Sequence, residues 1–468
     1  MKQLSADLLN RTFDELLEEM RFFSRTNAFE ELLGLFALKV ICDTGAPWET
    51  ASRTIARPKL WDDIVKVSIS SPQSDHADLV LSIAYEVEAE YECLDGVFTK
   101  GLLTGLRSFP TDGLSQVILR TASISSASLL AETPFAFGHW FNAKVDSLVM
   151  ITSDTQESAT LPSVAELMVQ LVDLASGVTI FDPCCGVGTI LAKAIENDRE
   201  RAEKHQLYGQ EINVFAWSLC KLRLFTLGHN VTNIVHGNAL QRPVFTNNGD
   251  LSRFDRVLCD PPFGMPFRDQ DFARSHIRFP LGKPGSIEGA FIQVVLASLK
   301  PTGKAVALVS HSFLFRSGPD ARIREGLIKS GNVQVVIGLP KRSRANAAVE
   351  TALVLLQNDS SPHGAVFIDA SNLQPSSRGR AELTNETIRT IVELSLNGAN
   401  RPHVSRFATL EEIQSSACSL LPRRYISGPS ESVQDINEIK TELSSIEHEY
   451  HDTIQEMDSL LHEISPNE

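Results

Sequence analysis

Val178-Thr-Ile-Phe181-Asp-Pro-Cys-Cys-Gly-Val-Gly-Thr-Ile-Leu191 reads as a strand, a turn and the start of a helix. The apolar run Val178–Phe181 has the length of a buried strand. Gly186 and Gly188 open a tight turn, because glycine reaches backbone conformations closed to other residues and lets main-chain amides approach a ligand. A helix is expected over Ile190–Glu196, and an earlier one, Ser163–Leu174, leads to the strand. Further on, strands are expected at Gln206–Gly209, Asn233–His236, Arg256–Cys259, Ala305–Ser310, Val333–Gly338 and Ala352–Gln357. Helices are expected at Val214–Thr226, Ile287–Leu299 and Ala321–Lys329. Strands alternating with helices imply an α/β fold with a doubly wound, Rossmann-like parallel sheet, whose ligands sit beyond the carboxyl ends of its strands.

Residues 1–150 read instead as a mostly helical domain. Leu8, Phe13, Leu16, Leu17, Met20 and Phe23 recur at three- and four-residue steps, and Phe29–Cys42 is nearly all apolar. The expected organisation is this helical domain, the α/β domain over 151–360, a loop-rich extension over 361–429 and an acidic helix over 430–468. In that last segment Ile436, Ile439, Leu443, Ile446, Tyr450, Ile454, Met457, Leu461 and Ile464 follow a near-heptad spacing. That is the pattern of a coiled-coil-like helix that docks on a partner.

The 468 residues are 43% hydrophobic and 22% charged, which excludes a disordered or collagen-like chain. No apolar run reaches the ~18 residues of a membrane span, and the start of the chain has no secretory pattern. A cytoplasmic location with no membrane partner is the expectation. Seven scattered cysteines with no Cys-x-x-Cys argue against a disulfide framework or a zinc module, so no metal is expected. The net charge of −15 argues against a protein that coats nucleic acid nonspecifically. Residues 430–468 hold eleven acids against the single base Lys440, so a local basic site elsewhere is compatible with that total.

Two constellations carry chemistry. In the first, the glycine loop lacks the Lys-Ser/Thr pair of a phosphate loop and is preceded by Asp182, which suits a cationic or hydroxylated ligand better than a pyrophosphate. Glu211 falls at the tip of the next strand, where an acid accepts ribose hydroxyls. Together these point to S-adenosylmethionine, held by Asp182, Cys184, Gly186, Gly188 and Glu211. Cys184 and Cys185 themselves read as small buried residues. The second constellation is Asp260-Pro-Pro-Phe263 after the strand Arg256–Cys259. Prolines remove backbone donors and stiffen the turn, so carbonyls face the crevice. The amine of a purine is a poor nucleophile, because its lone pair is delocalised into the ring. Asp260 and the Pro261 carbonyl each accept one N–H, which frees the lone pair, and Phe263 offers a stacking face. Asp260, Pro261, Pro262 and Phe263 are the expected catalytic residues.

The ordered motifs resemble the modification subunit of type I restriction–modification systems, an N6-adenine DNA methyltransferase family. They include Glu30–Asp43, Leu161–Val169, the glycine loop, Gly209–Asn213, Gly237–Leu240, Asp260–Gly264, Phe313–Gly318, Val336–Pro340 and Leu421–Ile426. The resemblance implies cofactor contacts at Thr160, Asn238 and Asp260 as well. It also implies double-stranded DNA as substrate, a separate DNA-specificity subunit with two modification subunits to one, and in some complexes a restriction subunit. The chain departs from that pattern where it carries Asp260 for the usual Asn, Ala159-Thr-Leu-Pro162 for a Tyr-Thr-Pro segment, Lys341–Ala348 for an aromatic Gly-Thr-Gly loop and Asn238 for an Asp. A base must be flipped out of the duplex to react. Expected DNA contacts are Phe263, Arg268, Arg274, Arg278 and Lys283, with Lys341, Arg342 and Arg344 as a second patch; Phe267, Phe272 and Phe279 interleave with the first set. Two competing readings are an RNA guanine-N2 methyltransferase, which uses a similar turn, and a non-catalytic scaffold with this fold.

Overall fold

The computed structural model describes residues 2–23, 28–44, 61, 65–66, 76–122, 135–151, 160–174, 177–197, 205–268, 278–341, 349–358, 363–373 and 382–426. The helix expected over 430–468 lies outside these residues, as do Arg274, Arg342 and Arg344. The N-terminal layer is built from α1 (Lys2–Phe23), α2 (Ala28–Thr44), α3 (His76–Glu90), α4 (Thr111–Ala122) and α5 (Ala136–Ile151). In α1 the buried stripe is Leu9, Phe13, Leu16, Leu17 and Met20, while Leu8 is 65% exposed. The stripe begins at Leu9 rather than Leu8 because five residues carry Leu8 about 140° round the helix from Phe13. Phe13, Phe36 and Trp140 join α1, α2 and α5, with ring centroids 5.4 to 5.7 Å apart.

The sheet strands are β1 (Thr179–Asp182), β2 (Gln206–Glu211), β3 (Ile234–His236), β6 (Phe254–Cys259), β7 (Leu299–Ser310), β8 (Val333–Gly338), β9 (Thr351–Gln357), β10 (Gly364–Asp369) and β11 (Ser405–Thr409). A small hairpin, β4 (Thr246–Asn247) and β5 (Asp250–Leu251), stands apart. The sheet order is β11-β10-β8-β9-β7-β6-β1-β2-β3. From β1 the chain first winds outward through β2 to β3, then returns to the other side of β1 at β6, and all these pairings are parallel. The winding therefore reverses between β1 and β6, and such a reversal leaves a crevice at the strands' carboxyl ends.

α6 (Pro162–Val172), α7 (Thr189–Asn197), α8 (Val214–Thr226) and the later α11 (Asn385–Asn397) cover one face; α9 (Ile287–Ala297) and α10 (Pro319–Lys329) cover the other. Alternate residues of β6 serve the two faces, Leu258 one and Val257 with Cys259 the other. Burial on both sides is why these strands read as continuous apolar runs. Side-chain caps fix the helix starts: Asn213 Oδ1 accepts from the amides of Phe215 and Ala216, and Ser286 Oγ accepts from Gly289.

Two expectations change. The sheet is not wholly parallel: β9 runs antiparallel between β7 and β8. β9 directly follows β8 among the sheet strands and lies beside it, and neighbouring strands joined by a short connection pair antiparallel. The segment over 361–429 is not merely loop-rich. Its short apolar run Ala365–Ile368 belongs to β10, parallel to β8, and β11 adds the antiparallel edge. Among the described residues no helix is long and apolar enough to cross a membrane.

Candidate active site

β1, β2 and β6 lie side by side and deliver Asp182, Glu211 and Asp260 to one crevice. In register, Asp182 stands opposite Gly209 of β2, and Phe181 opposite Val257 of β6. Asp260 thus sits about two residues past the level of Asp182 on the neighbouring strand.

The glycine loop wraps the first carboxylates with main-chain donors. The Gly186 amide donates to Glu211 Oε2 at 2.8 Å, and the Asn213 amide to Glu211 Oε1 at 2.7 Å. The Cys184 amide donates to Asp182 Oδ1 at 3.0 Å. Asp182 is 1% exposed. Burial pushes it well above the usual carboxylate range, the Cys184 amide opposes this, and the nearby Asp260 and Glu211 charges add to the rise.

The two glycines differ in what they do. Gly186 has φ +52° with open space where a side chain would stand; Gly188 has φ +80°, and a Cβ there would lie 2.7 Å from Cys220 Sγ. Gly188→Ala is expected to cost about 2 kcal/mol of stability in a urea titration, and Gly186→Ala about 1 kcal/mol. Equal losses would mean that the Cys220 contact does not matter.

The second constellation closes the crevice. The Thr160 hydroxyl donates to Asp260 Oδ2 at 2.6 Å. Pro261 is buried, Pro262 is exposed, and Phe263 is half-buried against the same core as Leu258. Cys184 Sγ meets Cys259 Sγ at 3.4 Å, and burial pushes both thiols up, so neither is a ready thiolate. Asn238 Oδ1 accepts from the amides of Leu240 and Gln241, which makes its side-chain oxygen a brace for the turn after β3.

At the described ends of the basic loop several residues are engaged within the fold. Its ends are pinned by Ile287 donating to the Met265 carbonyl at 2.9 Å and Phe267 to Gly285 at 3.2 Å. Phe267 and Phe279 are buried and pack edge to face, 5.2 Å between centroids, so they serve the core and not a base. Arg278 donates to the carbonyls of Leu240 and Gln241, tying the loop to the turn after β3. Phe272 lies outside the described residues. Arg268 and Lys283 are exposed; Lys341 is exposed too and stands 3.5 Å from Glu350.

A residue that sequence reading missed lies behind the loop. Arg223 is fully buried and donates to Asn142 Oδ1, Asp146 Oδ1 and Thr189 Oγ1. It joins α5 of the helical layer to the first residue of α7, which carries the glycine loop. The available signal was an arginine between Leu222 and Leu224 in an apolar helix.

Residues 153–434 match the family model described as N-6 DNA methylase. The chain is 24% identical to the methylase subunit of the type I restriction enzyme MpnII of Mycoplasma pneumoniae, over 54% of this chain and 49% of that protein. It is 23% identical to the methylase subunit of the type I restriction enzyme MjaVIII of Methanocaldococcus jannaschii, over 83% of this chain and 70% of that protein. The chain spans about half the length of the first curated relatives it matches. In fold it is similar to the crystal structure of a type I restriction–modification methyltransferase subunit from Streptococcus thermophilus, with TM-score 0.77, 19% identity, 90% of this chain and 99% of that one.

Proposed function

Because the chain belongs to the N-6 DNA methylase family, we propose that it transfers a methyl group from S-adenosylmethionine to the N6 amine of adenine in DNA, with the target sequence read by a separate specificity subunit. The observation that carries the reading is the meeting of Asp182, Glu211 and Asp260 at the ends of three adjacent strands. Three carboxylates in one crevice fit a ligand with a positive charge. The open space over Gly186 and the Glu211 carboxylate at the tip of β2 fit a ribosyl group beside it. Bound there, the cofactor supplies an electrophilic methyl on a positively charged sulfur.

The chain's own groups prepare the nucleophile. Asp260 and the Pro261 carbonyl accept the two N–H bonds of the amine and draw its lone pair out of conjugation. Charge grows at that nitrogen in the transition state, and acceptors already in place stabilise it without reorganising. Phe263 holds the flipped base by its face. Arg268, Lys283 and Lys341, with Arg274, Arg342 and Arg344, take backbone phosphates. The acidic segment 430–468 is the docking element for the specificity subunit, in a complex of two chains like this one to one such subunit and, in some cases, a restriction subunit. Sequencing that reports modified bases, on DNA from cells carrying this chain with its partners, tests the reading. N6-methyladenine at a defined motif is expected; its absence, or a guanine-N2 mark in RNA instead, overturns it.

A pH dependence follows from Asp182. Its raised pKa means that, without cofactor, Asp182 keeps a proton over part of the pH range, and a cationic cofactor favours the ionised form. Binding should release a proton, and cofactor affinity should strengthen as pH rises toward the shifted pKa. Titration calorimetry in two buffers of different ionisation enthalpy reads the proton directly; proton uptake would contradict the assignment. For stability the sign is reversed, since the fold binds a proton that the unfolded chain has released, so this group's contribution falls as pH rises through that window.

A further inference from the structure

Thr160 sits where the chain enters α6, within the segment that the sequence assigns to the cofactor. Its hydroxyl instead donates to Asp260 Oδ2 at 2.6 Å, across 100 positions of sequence. Thr160 is 8% exposed. The backbone around it is held firmly: Leu161 is fully buried, and its carbonyl accepts the amides of Val164 and Ala165 at 3.0 Å each. α6 is in turn tied to α7 by Asn197 Nδ2 donating to Glu166 Oε2 at 2.7 Å. The Thr160 hydroxyl therefore projects from the same frame that carries the glycine loop. A β-branched side chain has few rotamers to lose, so this donor is set in place before substrate arrives.

We propose that Thr160 is a positioning residue for methyl transfer: it grips one oxygen of Asp260 and fixes the plane of the carboxylate toward the target amine. The role rests on the N6-amine reading above. A carboxylate on a short side chain turns about two bonds, and a strong donor on Oδ2 stops both turns. The acceptor then meets the amine in one orientation, which is what a preorganised acceptor requires. The hydroxyl has one proton, which it donates in the hydrogen bond to Asp260. The arrangement also accommodates Asn at position 260, since its Nδ2 would donate to the Thr160 hydroxyl oxygen and leave Oδ1 for the amine.

The test uses the full chain with its specificity partner, DNA and radiolabelled S-adenosylmethionine. Thr160→Val keeps the shape and removes the donor; Thr160→Ser keeps the donor. Single-turnover transfer should fall about 10- to 100-fold in Thr160→Val, the worth of one hydrogen bond to a charged group. Cofactor affinity by calorimetry should stay within about threefold, and Thr160→Ser should restore most of the rate. Thr160→Ala, which adds no bulk, is read in the same way if the valine variant fails to fold. Three results would overturn the role: a valine variant as fast as the wild type, a loss that vanishes at saturating cofactor, or a serine variant as slow as the valine one. A wild-type complex that leaves adenine N6 unmodified would instead sink the functional reading, and this role with it.

Discussion

Asp260→Ala should lower methyl transfer to DNA by about 10²- to 10³-fold, the usual loss when one fixed group that stabilises developing charge is removed. In the proposed reaction alanine would remove the acceptor for one N–H of the amine, and it leaves Asp260's bond to the Thr160 hydroxyl unmade. Asp182 and Glu211, with their main-chain donors, stay as they are. Cofactor affinity should therefore change only a few-fold, and the deficit should lie in the transfer rate at saturating cofactor. Asp260→Asn should retain much of the rate, because its amide oxygen still accepts. Wild-type turnover in the alanine variant would remove Asp260 from the chemistry. A collapse of cofactor affinity alone would move it from the amine to the cofactor.

Arg223→Met should cost about 3 kcal/mol of unfolding free energy, near the low end for breaking a buried ion pair. The arginine is fully buried, while the side chain of its partner Asp146 is 20% exposed and can recover some hydration. Methionine fills much of the volume but offers no donor to Asn142, Asp146 or Thr189. Replacing Asp146 by leucine in the same chain should recover part of the loss, since a buried pair exchanged whole for apolar groups costs little. Urea titrations of the single and double variants read both values. A single-variant loss below ~1 kcal/mol would show that the clamp between the helical layer and the glycine loop is not a stabilising contact.

The family resemblance drawn from the ordered motifs agrees with the family match over 153–434. The strand–turn–helix at Val178–Leu191 was legible because each part is local. A four-residue apolar run, two glycines at positive φ and an apolar stripe leave their mark within a dozen residues. Asp260-Pro-Pro-Phe263 was legible for the same reason, as was the placing of Glu211 at a strand tip. The two aromatics Phe267 and Phe279 misled because interleaved Phe and Arg look alike whether the rings face a base or each other. Leu8 misled because α1 presents two adjacent leucines and only their phase against Phe13 separates them.

What the sequence alone determined, then, is the strand–turn–helix at Val178–Leu191 and the α/β grammar around it. Period, proline and glycine act through the backbone within a turn or two, so one chain read in order contains them. The tertiary structure decided the rest: the antiparallel β9, the two further strands in 361–429, the grip of Arg278 on Leu240 and Gln241, the Arg223 clamp, and Thr160 on Asp260 rather than in the cofactor segment alone. Each depends on which strand lies beside which. A hydrogen bond across 100 residues is set by the winding of the sheet, and no spacing along the chain encodes it.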